Sequence, residues 1–343
     1  MNPAFSAAVF ALFALILGSC NGERVSRVSI GGPTMGTSWS VILADGLSTG
    51  RAEQLQSSIE TELSRINQLM STYDPTSELS VFNKSSSTAA TALHADTLKV
   101  LKAAIAISRH TNGAYDVTIG PVIDLWGFGA NESEPRPPDQ RMIDKALLLS
   151  GFSHLHINEQ TVAKQIPGLR IDLSSIAKGF AVDQIGALVE RAGIENFTAE
   201  IGGEILTRGN SAVGQPWRIG IEVPNTSSNN ANFETNVVHG IAVTDSHIAS
   251  SGDYRNFREV NGVRYAHIID GTTGRPVKHS VAAVTVLHQS TMLADGWATA
   301  LMILPMEKSV ELAKRMGIEA QFTYRTDTGF DVVRTDGFPA IVE

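Results

Sequence analysis

The spacing of apolar residues changes character halfway along the chain, and that change limits the fold more than any motif does. Residues 51–72 place Leu55, Ile59, Leu63, Ile66 and Met70 at steps of 4, 4, 3 and 4, and residues 96–109 repeat the rhythm with Leu98, Leu101 and Ile105. Such stripes belong to helices with one face on a core. Gly113 follows the second as a stop signal. A short helix is expected over 141–149. Another is expected over 175–192, with Ser174 as its N-cap and Gly193 past its end. The second half instead reads as short strands between turn residues: FTAEIGGEILTRG, WRIGIEVP, GIAVTDSHIASSG, YAHIIDG and SVAAVTVLH. An earlier strand is expected over 34–43 (TMGTSWSVIL). Helices return over 292–303 and 306–316, before a β-like stretch at 320–334. Polar loops fall at 131–140 (NESEPRPPDQ) and 224–236 (PNTSSNNANFETN). There is no regular βαβ alternation and no repeat of fixed period. The expected class is α+β (mixed α/β), with largely antiparallel sheet and packed helices.

Charge narrows the function. Lys and Arg total 27 against 35 Asp and Glu, a formal net charge of −8. An acidic chain of this kind lacks the clustered cations of a nucleic-acid groove. Hydrophobic residues at 43% and charged residues at 18% exclude both a disordered chain and a polytopic membrane protein. The 343 residues allow one large domain or two lobes, at roughly 150 residues per domain.

One cysteine makes no internal disulfide and no thiolate cluster. It is Cys20, directly after the apolar run AAVFALFALIL at 7–17. Eleven residues are too few to span a bilayer, which takes about 20, but they fit the core of a secretory signal. The run ends Leu17-Gly18-Ser19-Cys20, the pattern of a bacterial lipobox, in which small residues give a peptidase access beside a lipidated thiol. Residues 1–19 hold no Lys or Arg, a departure from the usual basic start of such signals. The expectation is a signal peptide over 1–19, lipidation at Cys20, a polar tether over 20–30 and one domain over 31–343.

No G-x-G-x-x-G opens a helix, and Walker A, H-E-x-x-H and G-x-S-x-G patterns are absent. Instead the chain carries islands that mix glycine with carboxylate or hydroxyl beside an aromatic or His. They are GPTMGTSW (32–39), MSTYDPTSELSVFN (70–83), TNGAYDVTIGPVIDLWGFG (111–129), DLSSIAKGFAVDQ (172–184), EIGGEI (200–205), SSGDYRNF (250–257), YAHIIDGTTGRPV (265–277) and ADGWATALMIL (294–304). Together and in this order they resemble the ApbE family of FAD:protein FMN transferases, over about residues 31–334.

The resemblance implies two lobes with the active site between them, FAD as substrate and Mg²⁺ as cofactor. The implied reaction joins FMN by a phosphoester to a threonine of an acceptor flavoprotein and releases AMP. Phosphoryl transfer of this kind needs in-line positioning, charge neutralisation and removal of a proton. The implied metal ligands are Ser175, Asp295, Ala298 and Thr299. Asp295 and Thr299, four apart, share one helical face. At position 298 some members carry a carboxylate, whereas Ala298 offers only its carbonyl. Asp295 is expected to be an exposed acid. His267 in YAHIID is the implied catalytic base, and an imidazole of pKa ~6.5 suits that task. The implied FAD contacts are Met35, Tyr73, Ala114, Tyr115, Asp116, Asp172, Lys178 and Ile269. Lys178 stands where some members carry Glu, and it either pairs with phosphate or lies in solvent. The Gly202-Gly203 pair fits a ligand approach and a tight turn equally well.

Two other functions use the same residues. One is an Mg²⁺-dependent FAD pyrophosphatase that gives FMN and AMP. The other is a lipoprotein that stores or delivers flavin. The implied partners are FAD, an acceptor subunit of a membrane redox complex with a Ser/Thr-Gly-Ala-Thr-like segment, and the membrane itself through a lipid anchor. The implied location is the periplasmic side of a bacterial membrane, the inner one in preference, with no nucleic-acid partner.

Overall fold

The computed structural model describes residues 27–130, 137–223, 236–254, 256–260 and 262–342. The expected signal peptide, Cys20 and most of the tether lie outside these residues, as do most of the two polar loops.

Eight strands build the main sheet: β1 (Val28–Thr34), β2 (Thr37–Leu43), β3 (Phe197–Ile201), β4 (Glu204–Arg208), β5 (His247–Gly252), β6 (Val281–His288), β7 (Glu319–Thr326) and β8 (Gly329–Arg334). They lie side by side in chain order, and every neighbouring pair is antiparallel. The sheet is a meander, and most of the rest of the molecule is inserted into its connections. Among the described residues, the segment joining β2 to β3 carries six α-helices: α1 (Thr49–Met70), α2 (Glu78–Lys84), α3 (Ala95–His110), α4 (Gly120–Leu125), α5 (Gln140–Leu147) and α6 (Ala177–Arg191). Between β6 and β7 lie α7 (Thr291–Ile303) and α8 (Met306–Met316). The α+β class with antiparallel sheet is as expected.

Several boundaries differ from the sequence reading. The expected strand over 34–43 is broken at Met35 and Gly36, whose φ values of 47° and 72° make a two-residue hairpin turn. β1 precedes that turn, so the last residues of the expected tether are already strand. α6 begins at Ala177, and its N-cap is Ile176, with no side-chain cap. Ser174 is therefore not the cap. Its amide is taken by the Asp172 carboxylate, which holds residues 172–174 in a turn.

The stripe of α1 is buried as its spacing requires, with Leu55, Ile59, Leu63, Ile66 and Met70 in the main core. α7 is different. Nearly its whole circumference is buried, because it packs against α3, α6, β5 and β6. Its N-terminus is fixed by two side chains. Ser290 accepts from the Leu293 amide, while Asp183 of α6 accepts from the Thr291 and Met292 amides at 2.8 and 3.1 Å. Asp183 also meets His247 Nδ1 at 3.1 Å. Burial works against this carboxylate, but His247 and the two amides hold it below the usual range.

Two smaller clusters sit beside the main core. One joins Ile119, Val122 and Trp126 to Ile143, Ala146 and Ile269. The other joins Ile221, Ile241 and Val243 to Ile248 and Leu287 at the sheet. The candidate site lies between the first of these and the main core.

Gly179 sets the approach of α6 to α7. A Cβ there would stand 2.3 Å from the Thr291 carbonyl oxygen and 2.8 Å from Asp295 Cβ. Backbone cannot yield as a flexible side chain does. Gly179→Ala should therefore lower the unfolding free energy by about 3 kcal/mol, at the upper end of overpacking costs. Gly50→Ala, where a Cβ meets open space in α1, should not destabilise at all. Urea unfolding of both variants measures the difference, and equal midpoints would refute the contact.

Candidate functional site

A cavity of about 320 Å³ opens between α7, the run into α6, the β3–β4 turn and the segment after β5. Tyr73, Tyr115, Asp116, Asp172, Ser175, Lys178, His267, Ile269, Asp295 and Thr299 all line it. Residues far apart in the chain, assigned from separate islands, thus share one space. Two smaller cavities adjoin it, of about 280 and 210 Å³. Tyr73 lines all three, with 65% of its surface exposed and its hydroxyl donating to the Phe128 carbonyl at 3.3 Å.

Three of the implied residues do not line the main cavity. Met35 sits in the β1–β2 turn and lines the smallest cavity with Tyr73 and Lys178. Ala114 is buried, and its carbonyl accepts from the Gly271 amide at 2.8 Å. Ala298 is wholly buried in the main core. It lies within α7, where a carbonyl is taken by the amide four residues on.

Asp295 is not the exposed acid expected from sequence. It is 3% exposed, and its Oδ2 accepts from the Gly179 amide at 2.9 Å. The reason is the close helix approach at Gly179, which roofs the carboxylate with backbone. Lys178 lies neither in solvent nor alone. Its Nζ is 2.6 Å from Glu204 Oε1 and 4.0 Å from Asp295 Oδ1. Glu204, at the start of β4, is 2% exposed, and its Oε2 is buried without a hydrogen-bond partner. Burial pushes its carboxyl up to about 7, against the pull of Lys178. Burial likewise raises Asp295, opposed by Lys178 and the Gly179 amide.

Glu204 is the site residue that the sequence reading passed over. The signal was its place straight after Gly202-Gly203. Those glycines have φ values of 60° and 104° and make the two-residue turn between β3 and β4. The glycine pair is a tight turn, and its consequence is to aim the next side chain into the cavity.

The remaining polar groups hold one another. Thr299 Oγ1 is 3.0 Å from Ser251 Oγ, and Ser175 Oγ is 2.9 Å from the Tyr115 hydroxyl. Burial raises the Tyr115 phenol well above its usual range. Asp116 accepts from the Thr118 amide and hydroxyl and from the Phe152 amide, between 2.7 and 2.8 Å. Asp172 is placed by its neighbour Ile171. The Asn83 side chain donates to the Ile171 carbonyl and accepts from its amide, both at 2.8 Å. Buried Lys164 donates to the carbonyls of Phe82, Asn83 and Leu169, tying α2 to the same run.

His267 is half-buried. Its Nδ1 lies 2.7 Å from the Asn256 carbonyl oxygen, which also accepts the His267 amide at 3.2 Å. A carbonyl only accepts, so Nδ1 carries the proton and Nε2 is the basic nitrogen. Burial is the largest influence on the ring and lowers its pKa. Lys178 lowers it further, while the Asn256 carbonyl and Asp253 act the other way.

The cavity wall carries oxygen donors on two stretches of chain: the Asp295 carboxylate and Thr299 hydroxyl on α7, and the Ser175 hydroxyl before α6. Such a set suits a hard divalent cation such as Mg²⁺ and not a thiolate- or imidazole-seeking metal.

The family model that matches the chain, over residues 35–322, is that of the ApbE family. A Vibrio cholerae protein named FAD:protein FMN transferase is 40% identical over 94% of this chain and 95% of its own length. A Haemophilus influenzae protein of the same name is 38% identical over 100% of this chain and 99% of its own. The solved flavin transferase ApbE from Vibrio cholerae superposes with a TM-score of 0.83, covering 91% of this chain and 98% of that one. The apo flavinyl transferase ApbE from Pseudomonas stutzeri gives 0.80 at 34% identity, over 91% and 95% of the two chains.

The surroundings of His267 fix the direction of its titration. Its imidazole should protonate with a midpoint below the ordinary ~6.5. Removing a nearby positive charge favours the imidazolium, so Lys178→Met should move that midpoint upward. Proton–nitrogen NMR of the ring reads both, and a midpoint above 6.5 in the wild type would contradict the geometry.

Proposed function

Because the chain belongs to the ApbE family, we propose that it is an FAD:protein FMN transferase. Its substrate is FAD, and its acceptor is a threonine hydroxyl of a flavoprotein. The observation that carries the reading is His267, whose Nε2 is left basic in the same cavity as Asp295, Thr299 and Lys178. In the proposed reaction His267 Nε2 takes the proton of the acceptor hydroxyl. The hydroxyl oxygen then bonds to the phosphorus on the FMN side of the pyrophosphate. The bond from that phosphorus to the bridging oxygen breaks, and AMP leaves with the electron pair.

A lowered pKa keeps the ring neutral at neutral pH, as a general base requires. Tyr73 and Met35 offer flat and polarisable surface for the flavin or adenine ring. Mg²⁺ held by Asp295, Thr299 and Ser175 would neutralise charge on the pyrophosphate. Lipid attachment at Cys20 and a position on the periplasmic side of the membrane belong to the same proposal. It rests on the Leu17-Gly18-Ser19-Cys20 segment.

With FAD, Mg²⁺ and an acceptor carrying the threonine segment, AMP should appear together with flavin bound to the acceptor. AMP released equally without acceptor would make the protein a pyrophosphatase, and FAD retained intact would make it a flavin store. His267→Ala should keep FAD bound but slow transfer by about 10²–10⁴-fold, and transfer within a few-fold of wild type would remove this residue from the mechanism. In cells given a fatty-acid probe, Cys20→Ser should lose all label, and equal labelling would end the lipoprotein reading.

A further inference from the structure

Glu204 and Asp295 are carboxylates from different parts of the chain, one on β4 and one on α7. Both are almost wholly buried, at 2% and 3% exposure. A buried carboxylate that keeps its charge needs a cation or hydrogen-bond donors nearby, and here the ammonium of Lys178 stands 2.6 Å from one and 4.0 Å from the other. When both carboxyls are ionised, one ammonium balances only one of the two negative charges. Glu204 Oε2 is left buried with no hydrogen-bond partner, which is costly for a charged oxygen. The Glu204 residue lines the same cavity as Asp295, Thr299 and Ser175. α7 itself supplies a single acid, Asp295, and its residue 298 is an alanine sealed in the core. A divalent cation would match the two carboxylates in charge and give Oε2 its missing partner.

We propose that Glu204 is a ligand of the divalent cation, supplying from β4 the second carboxylate that α7 lacks, and that Lys178 is a resident counter-ion holding the Glu204–Asp295 pair until the cation enters. The inference rests on the reading of this cavity as an Mg²⁺ site. Cation entry weakens the hold of the carboxylates on Lys178. Its side chain is 29% exposed, so the ammonium has room to turn outward toward a phosphate. Metal and lysine then exchange places, which a simple phosphate-binding lysine does not require.

The test is Mn²⁺ binding to the full chain without FAD, followed by the loss of the free Mn²⁺ signal in electron paramagnetic resonance. Glu204→Gln should weaken binding about tenfold or more, at least the loss seen when a supporting group around a metal is removed. Glu204→Asp, which keeps the charge, should bind better than Glu204→Gln. Lys178→Met should bind several-fold tighter than wild type, because the competing cation is gone. Circular dichroism identifies any variant that fails to fold, and Lys178→Met tests the exchange without touching either carboxylate. Wild-type affinity in Glu204→Gln, or no tightening in Lys178→Met, overturns the proposal. If Asp295→Asn loses Mn²⁺ while Glu204→Gln keeps it, the inference alone fails. If wild type binds no Mn²⁺, the Mg²⁺ reading fails with it.

Discussion

The site depends on how closely α6 and α7 approach at Gly179. With no side chain at that position, the Thr291 carbonyl and the Asp295 side chain press against α6, and the Gly179 amide bonds Asp295 directly. That one contact buries a carboxylate, fixes its orientation and brings Lys178, the preceding residue, beside it. Asp183, one turn further along α6, caps α7 and secures the same crossing at the start of α7. Cavity-lining groups on both helices are therefore set by backbone geometry, not by flexible loops. Sites held on helices and strands keep their geometry better than sites held on loops.

Burial then governs the electrostatics. It raises the carboxyls of Glu204, Asp295, Asp116 and Asp172 and lowers the imidazole of His267. All five shifts disfavour charge, so the cavity is prepared for ligands that bring charge of their own. Where protein groups already answer an acid, as at Asp116, the residue is part of the wall. Where they do not, as at Glu204 Oε2, the residue waits for something else.

Long amphipathic helices were legible from spacing alone, because α1 and α3 each bury one stripe against a core. The two shortest helices were not. α2 and α4 span 7 and 6 residues, too few turns for a period to stand out. β1 was hidden by Gly31, Gly32 and Pro33, which read as turn chemistry but sit in an extended strand paired residue by residue with β2. The site residues were legible as islands, and the structure gathers most of them into one cavity. Their environments were not legible. Asp295 looked exposed because the amide that buries it lies 116 residues away in sequence. Glu204 looked like an ordinary strand residue because its meaning comes from Lys178 on a distant helix.

Tyr73 is the shared wall of three cavities, and most of its ring surface meets solvent. A wall made of one side chain moves on the timescale of rotamer hops, not of domain closure. Turning the ring about its own bonds alters the partition between the three compartments and requires no shift of a helix or strand. The division of the site thus hangs on one side-chain torsion, and changing it asks nothing of the sheet or the helices.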